Sequence, residues 1–265
     1  MRDGTTVCLI LFAWRCHPGF PLILAANRDE FYERPTEAAH FWEDAPEVLA
    51  GRDLRSGGTW IGVRKDGRFA AVTNYRAPLF VKIGAPSRGD LVKSFLADGE
   101  DLPSFRKRVL DQAELYNGFS LLVMDTGSLD CFSNFGGGWL SVGPGIHGLS
   151  NHLIDTPWPK VEKGKRALGE ILESRSEPDP GALFRVLADT TRCDDTLLPD
   201  TGIGLEWERI LSSIFIQSPV YGTRSSTVLI VRENGTVTFI ERSFKSGPDA
   251  FGERRFDFNI SGERP

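Results

Sequence analysis

The sequence predicts an α+β protein built on antiparallel sheets. Three observations lead there: four pairs of apolar, strand-like runs joined by turn residues, segments of helical spacing between the pairs, and no glycine-rich crossover of the parallel nucleotide-binding type. The first pair covers residues 7–15 and 20–27, joined by "CHPG". "TWIGVRKDGRFAAVTNY" forms a second hairpin turning at Asp66-Gly67. "FSLLVMDTGSLDCFSNF" forms a third, and "STVLIVRENGTVTFIERSF" a fourth with Asn234-Gly235 at its tip. Helices are predicted over 87–99, capped by Ser87, and over 102–116, 157–174, 180–189 and 204–214. The glycine cluster "FGGGWLSVGPG" (135–145) has no helix after it to offer amides to an anion and reads as a turn.

No Pro-, Ser- or charge-rich linker divides the chain, so residues 8–265 read as one domain, with 1–7 as an extension or a mis-assigned start. A net charge of −5 argues against nucleic acid as a general partner. Apolar runs such as "VCLILFAW" are too short to cross a bilayer, and "MRDGTT" is not a secretory leader. Four scattered cysteines, Cys8, Cys16, Cys131 and Cys193, lack zinc or redox spacing and fit a reducing cytoplasm. The four histidines are too dispersed for a metal site of their own, and no metal is expected.

Polar residues recur where apolar runs end. Asn27, Arg28 and Asp29 follow "LILAA", and Thr73, Asn74, Tyr75 and Arg76 follow "RFAAV". Asn151 closes "GIHGLSN", Arg224 precedes "SSTVLIV", and Arg52 and Asp53 precede a Gly-Gly turn. Strand ends can bring such side chains into one cleft on a rigid support, although each alone also fits a salt bridge or turn cap at a sheet rim.

Taken in order, "CLILFAW", "LILAANRDEFYERPT", "LAGRDLRSGGTWIGV", "GRFAAVTNYR", "YNGFSLLV", "GLSN" and "YGTRSSTVLIV" resemble the NRDE family, also called the transport and Golgi organisation 2 family, over nearly the whole chain. The resemblance implies a four-layer αββα sandwich of mainly antiparallel sheets, like that of N-terminal-nucleophile hydrolases. It implies Cys8 as nucleophile of an amidohydrolase acting on a linear amide of a small acyl-containing molecule, with no cofactor required. Arg28 would then favour the thiolate, Asp29 orient the ammonium or Arg28, Asn74 and Asn151 donate to an oxyanion, and Arg224 bind a carboxylate or complete the polar network. Asn27, Tyr75, Trp60 and Arg76 are the expected substrate contacts. The family alternative is a non-catalytic carrier of haem or of acyl-lipid and coenzyme A species, with Cys8, His17 or His152 as axial ligand. A scaffold whose site residues only stabilise the fold is a third reading. Expected partners are a small-molecule amide or apolar ligand, without nucleic acid or integral membrane contact, and a homo-oligomer is compatible.

Two departures from the family pattern matter. In the family the cysteine follows the initiating methionine, so that its free α-amine (pKa ~8) can serve as base for the thiol (~8.5). Here "MRDGTTV" precedes Cys8, which implies either initiation at Val7 through a GTG codon or an extension that is retained or self-cleaved. Secondly, Arg28 and Asp29 are adjacent and should point to opposite faces of a regular strand. Both line one cleft only if the strand ends or bends there; otherwise they form a paired knot that fixes the strand end.

Overall fold

In chain order the computed structural model contains β1 (Cys8–His17), β2 (Phe20–Phe31), β3 (Thr36–Phe41), β4 (Val48–Asp53), β5 (Ile61–Arg64), β6 (Phe69–Asn74), α1 (Gly89–Ala97), α2 (Leu102–Gln112), β7 (Phe119–Asp125), β8 (Ser128–Ser133), β9 (Gly138–Ser141), β10 (Gly145–Leu149), α3 (Pro159–Leu172), α4 (Pro180–Leu187), α5 (Leu205–Ile210), β11 (Tyr221–Val231), β12 (Thr236–Ser243) and β13 (Gly252–Asn259). It describes residues 8–125, 127–174, 176–245, 247–249 and 251–261, so the expected extension 1–7 lies outside the described residues.

The strands form two antiparallel sheets. One has the order β10-β1-β2-β11-β12-β13 and the other runs in sequence from β3 to β9. Face to face they bury Phe12, Leu24, Phe239 and others of the first sheet against Leu49, Val63, Phe69 and Leu122 of the second. Outer faces are covered by helices: Leu9, Leu11, Ile23 and Ala25 meet Val161, Leu168, Leu183 and Leu187 of α3 and α4, while Phe95 and Phe105 of α1 and α2 pack on Val48, Val72 and Leu121. The expected αββα layering is therefore observed. Strands covered on both faces need no polar alternation, which is why β1 and β2 read as continuous apolar runs.

All four expected hairpins form. Helix edges differ. α1 begins with Arg88 as its cap, without a side-chain hydrogen bond, so Ser87 contributes only its carbonyl, to Asp90 N–H. α5 stops at Ile210, well short of residue 214. The glycine cluster at 135–145 contains β9 as well as turns. The outermost strand, β13, is charged and mostly exposed, the usual protection of a sheet edge, and its "GERRFDFN" hid it from hydrophobic patterning. Among the described residues no helix is long and apolar enough to cross a membrane.

Gly58 touches Gly89 backbone to backbone: a Cβ on Gly58 would lie 2.6 Å from the Gly89 carbonyl carbon. This close approach seats the start of α1 against the turn that follows β4. Gly58→Ala is therefore expected to destabilise the protein by about 1–3 kcal/mol, seen in urea titration as a lower midpoint at unchanged slope.

Candidate functional site

Antiparallel pairing sets Cys8 directly opposite Arg28. Even-numbered positions of both strands (Ile10, Phe12, Leu24, Ala26) face the other sheet, so Arg28 faces it too. At this end lies a cavity of about 790 Å³ whose wall includes Cys8, Arg28, Asp29, Glu30, Asp53, Trp60 and Asn74. Cys8 as a residue is half-buried, while its thiol is desolvated.

Arg28 is held from several sides. Its guanidinium carbon lies 4.2 Å from the centre of the Trp60 ring, Nη1 donates to Thr36 Oγ1 at 3.1 Å, and Nη2 is 3.7 Å from carboxylate oxygens of both Glu30 and Asp53. Asp53 also accepts from Arg34 Nε at 2.6 Å. Burial pulls the Asp53 carboxyl upward, but the hydrogen bond and charge of Arg34 outweigh it, and the group sits below the usual carboxylate range.

Strand alternation turns the Asp29 carboxylate to the other side of β2 from Arg28, yet Asp29, like Arg28, is among the residues that line the cavity. Its Oδ1 accepts from Thr223 Oγ1 at 2.6 Å. The β2–β11 pairing shifts register between Thr223 and Ser225, so Arg224 is the residue bulged out of the ladder. Burial pushes the Asp29 carboxyl up, opposed chiefly by the charge of Lys160. The Cys8 thiol is pushed up to about 12 by burial and then by the negative charge of Asp29, against the Asp29 backbone N–H and Arg28. A thiol in the middle of a chain therefore keeps its proton here unless a base takes it.

Other expected residues divide cleanly. Trp60 and Asn74 line the cavity with Cys8 and Arg28. Asn151 does not; its Nδ2 donates to the Asn74 carbonyl at 3.1 Å, while Ser150 Oγ donates to the Cys8 carbonyl at 3.0 Å. The Ser150-Asn151 pair thus ties the start of β1 to the end of β6 across the two sheets. Arg224 is not in the cavity: Nη1 donates to the carbonyls of Phe31, Tyr32 and Arg34, at 2.9, 2.9 and 3.1 Å, and braces the chain leaving β2. Asn27 faces α4, donating to the carbonyls of Leu187 and Ile214 at 2.9 Å each and accepting from Ser226 Oγ, so it anchors the helical layer and meets no ligand in the cavity. Tyr75 is turned to His152 Nε2, 2.7 Å away, and stacks on Phe135. Arg76 is buried on Glu208 at 2.7 Å, with Trp158 beneath it. Three of the four substrate contacts expected from sequence thus lie outside the large cavity, because each polar strand end had partners of its own in a neighbouring layer.

Two buried charged residues near the site, outside the cavity lining, were not expected from sequence. Glu241 lies on the sheet-facing side of β12 with Val237 and Phe239, a parity visible in "TVTFIERS"; its Oε1 accepts from Ala39 N–H at 2.8 Å. Lys160 is buried at the start of α3, at the edge of the Val161–Gly164–Leu168 stripe, where a lysine reads as solvated. Among the described residues no group of three or more His, Cys, Asp or Glu is arranged to hold a metal ion.

A two-sheet sandwich with a cysteine and an arginine paired across adjacent strands at the cavity wall is the class of protein that emerges. The chain belongs to the Transport and Golgi organisation 2 family, whose sequence profile matches residues 7–246. It is 41% identical to the Transport and Golgi organization protein 2 homolog of Bos taurus, over 89% of this chain and 93% of that protein. The Homo sapiens homolog is 37% identical over 96% of this chain and 99% of its own length. Among solved structures, a mutant of the conjugated bile acid hydrolase from Clostridium perfringens is similar at a TM-score of 0.44 and 12% identity, covering 96% of this chain and 98% of that one.

Two outcomes are expected. Burial pushes the Glu241 carboxyl up to about 7, with Ala39 N–H, Arg28 and Arg254 opposing. Its folded-state value lies above the unfolded ~4.3, so its contribution to stability is present below that value and lost as pH rises through about 7. Glu241→Gln should therefore be more stable than the wild type above pH ~7, by about 1–3 kcal/mol, with the difference vanishing near pH ~4 in urea unfolding. In the chain with residues 1–7 intact, Asp29→Asn removes a negative charge beside the thiol. Peptide-resolved mass spectrometry should show faster Cys8 alkylation by iodoacetamide, about tenfold per pKa unit gained, while Arg28→Met slows it.

Proposed function

We propose that this protein is an amidohydrolase whose nucleophile is Cys8 as the first residue of the mature chain. The observation that carries the reading is the pairing of Cys8 with Arg28 at the wall of the large cavity. Val7, where the family match begins, is the residue that must be absent for Cys8 to carry a free α-amine. Sγ attacks the amide carbonyl carbon while its proton passes to the α-amine nitrogen, which answers the need for a base created by the protonated thiol. Asn74, held through its own carbonyl by Asn151, is the candidate donor to the oxyanion. Collapse of the tetrahedral adduct breaks the C–N bond, and the ammonium returns its proton to the leaving nitrogen. Water then attacks the thioester carbonyl, releasing the acid and restoring the thiol. Trp60, Val72, Val81 and Ile83 offer the apolar wall that an acyl or ring portion of the substrate needs.

Haem fits this site poorly. His17 lies at the far end of β1 from Cys8, with Nδ1 against the Pro18 carbonyl. Both ring nitrogens of His152 are engaged, by Tyr75 and Thr156. Cys8 is then the one sequence-expected ligand at the cavity, and burial and Asp29 keep its sulfur protonated.

The test is intact-mass and N-terminal analysis of the native protein, followed by turnover of a panel of N-acyl amides. The mature chain should begin at Cys8, a thioester adduct should appear on its tryptic peptide, and Cys8→Ala should reduce turnover at least ~10³-fold. Full turnover by Cys8→Ala would falsify the reading.

A further inference from the structure

Behind the cavity, on the α3 side of the first sheet, four charged side chains are buried together: Asp29 of β2, Lys160 of α3, Glu208 of α5, and Arg76, which follows β6. Arg76 and Glu208 close on each other at 2.7 Å. Asp29 and Lys160 do not. Asp29 Oδ2 and Lys160 Nζ are both buried without a hydrogen-bond partner, in residues only 1% and 4% exposed, and Arg76 Nε and Nη2 beside them are unpartnered as well. Such groups left open in a low-dielectric interior are costly unless another polar group completes them.

The packing of α3 indicates which group that is. The helix runs along β1: a Cβ on Gly164 would lie 2.6 Å from Leu11 Cδ1, and Val161 belongs to the cluster formed by Leu9 and Leu11. One residue nearer the start of α3, Lys160 stands toward the end of β1 that begins with Cys8, near enough for the charge of the Cys8 sulfur to bear on it. Cys8, Asp29, Arg76 and Glu208 are the ionisable groups that bear on its ammonium. On Cys8, the atom at that end of the strand is the main-chain nitrogen.

We propose that Lys160 is a positioning residue for the α-amine of Cys8, the two nitrogens sharing the single carboxylate of Asp29 so that the amine stays in its free-base form. This rests on the amidohydrolase reading. Two cations cannot both be neutralised by one buried carboxylate, so the second proton is held weakly. Burial likewise lowers the hold of Lys160 on its own proton. The free amine then receives the thiol proton as Sγ attacks and passes it to the leaving nitrogen, so no proton is gained or lost over the cycle.

The test uses the mature protein with Cys8 at its terminus and follows acylation of Cys8 by a p-nitrophenyl ester from pH ~5 to ~10 by mass spectrometry. In Lys160→Met the acidic limb of the rate profile should move up by about one pH unit, a loss of roughly tenfold at pH ~6, with the alkaline plateau unchanged. Lys160→Arg, which restores a permanent cation, should return the limb to its wild-type position. A limb that does not move in Lys160→Met, or a loss uniform across pH, overturns the proposal. If Lys160→Met does not fold, Lys160→Gln serves for the same comparison. Absence of acylation in wild-type protein that carries a free Cys8 amine overturns the amidohydrolase reading itself, which keeps the two failures distinct.

Discussion

The site is organised around the buried guanidinium of Arg28. A desolvated cation between two sheets needs anions and hydrogen-bond acceptors from both. It draws Glu30 from its own strand and Thr36 and Asp53 from β3 and β4 of the second sheet, and rests on Trp60. Each of these comes from a different segment of chain, so the guanidinium fixes how the two sheets meet at this end. The opening beside Cys8 follows from that requirement.

Alternation along β2 then divides the polar run into two functions. Arg28 and Glu30 face the cavity between the sheets, Asn27 is tied to the helical layer behind, and Asp29, which also borders the cavity, turns its carboxylate to Thr223 of β11. A single strand end thereby supplies the field in front of the sulfur and the carboxylate behind it. The bulge at Arg224 lets the neighbouring strand follow this change, and its guanidinium gathers three carbonyls that the departing chain leaves open.

Much of this was legible in the sequence. The hairpins were, because Asp-Gly and Asn-Gly turns and apolar runs are local signals. So were Cys8, Arg28, Asn74 and Trp60 as neighbours. Strand β13 was not, because an edge strand protected by charge has no apolar period to read. Asn27, Tyr75 and Arg76 were placed at the cavity by their position at strand ends, but their direction depends on the layers that flank each sheet. His152, Glu208 and the carbonyls of Leu187 and Ile214 were distant in sequence and claimed them first. Lys160 was invisible for a related reason: a lysine beside an apolar stripe normally extends to solvent, and only the packing of α3 on β1 prevents it.

The tie between the sheets made by Ser150 has a consequence of its own. Its hydroxyl grips the main-chain oxygen of residue 8 and leaves the sulfur alone. Whatever side chain occupies that position, the seam stays sewn. Evolution can therefore exchange, retire or reinvent the reactive group without unpicking the architecture that presents it.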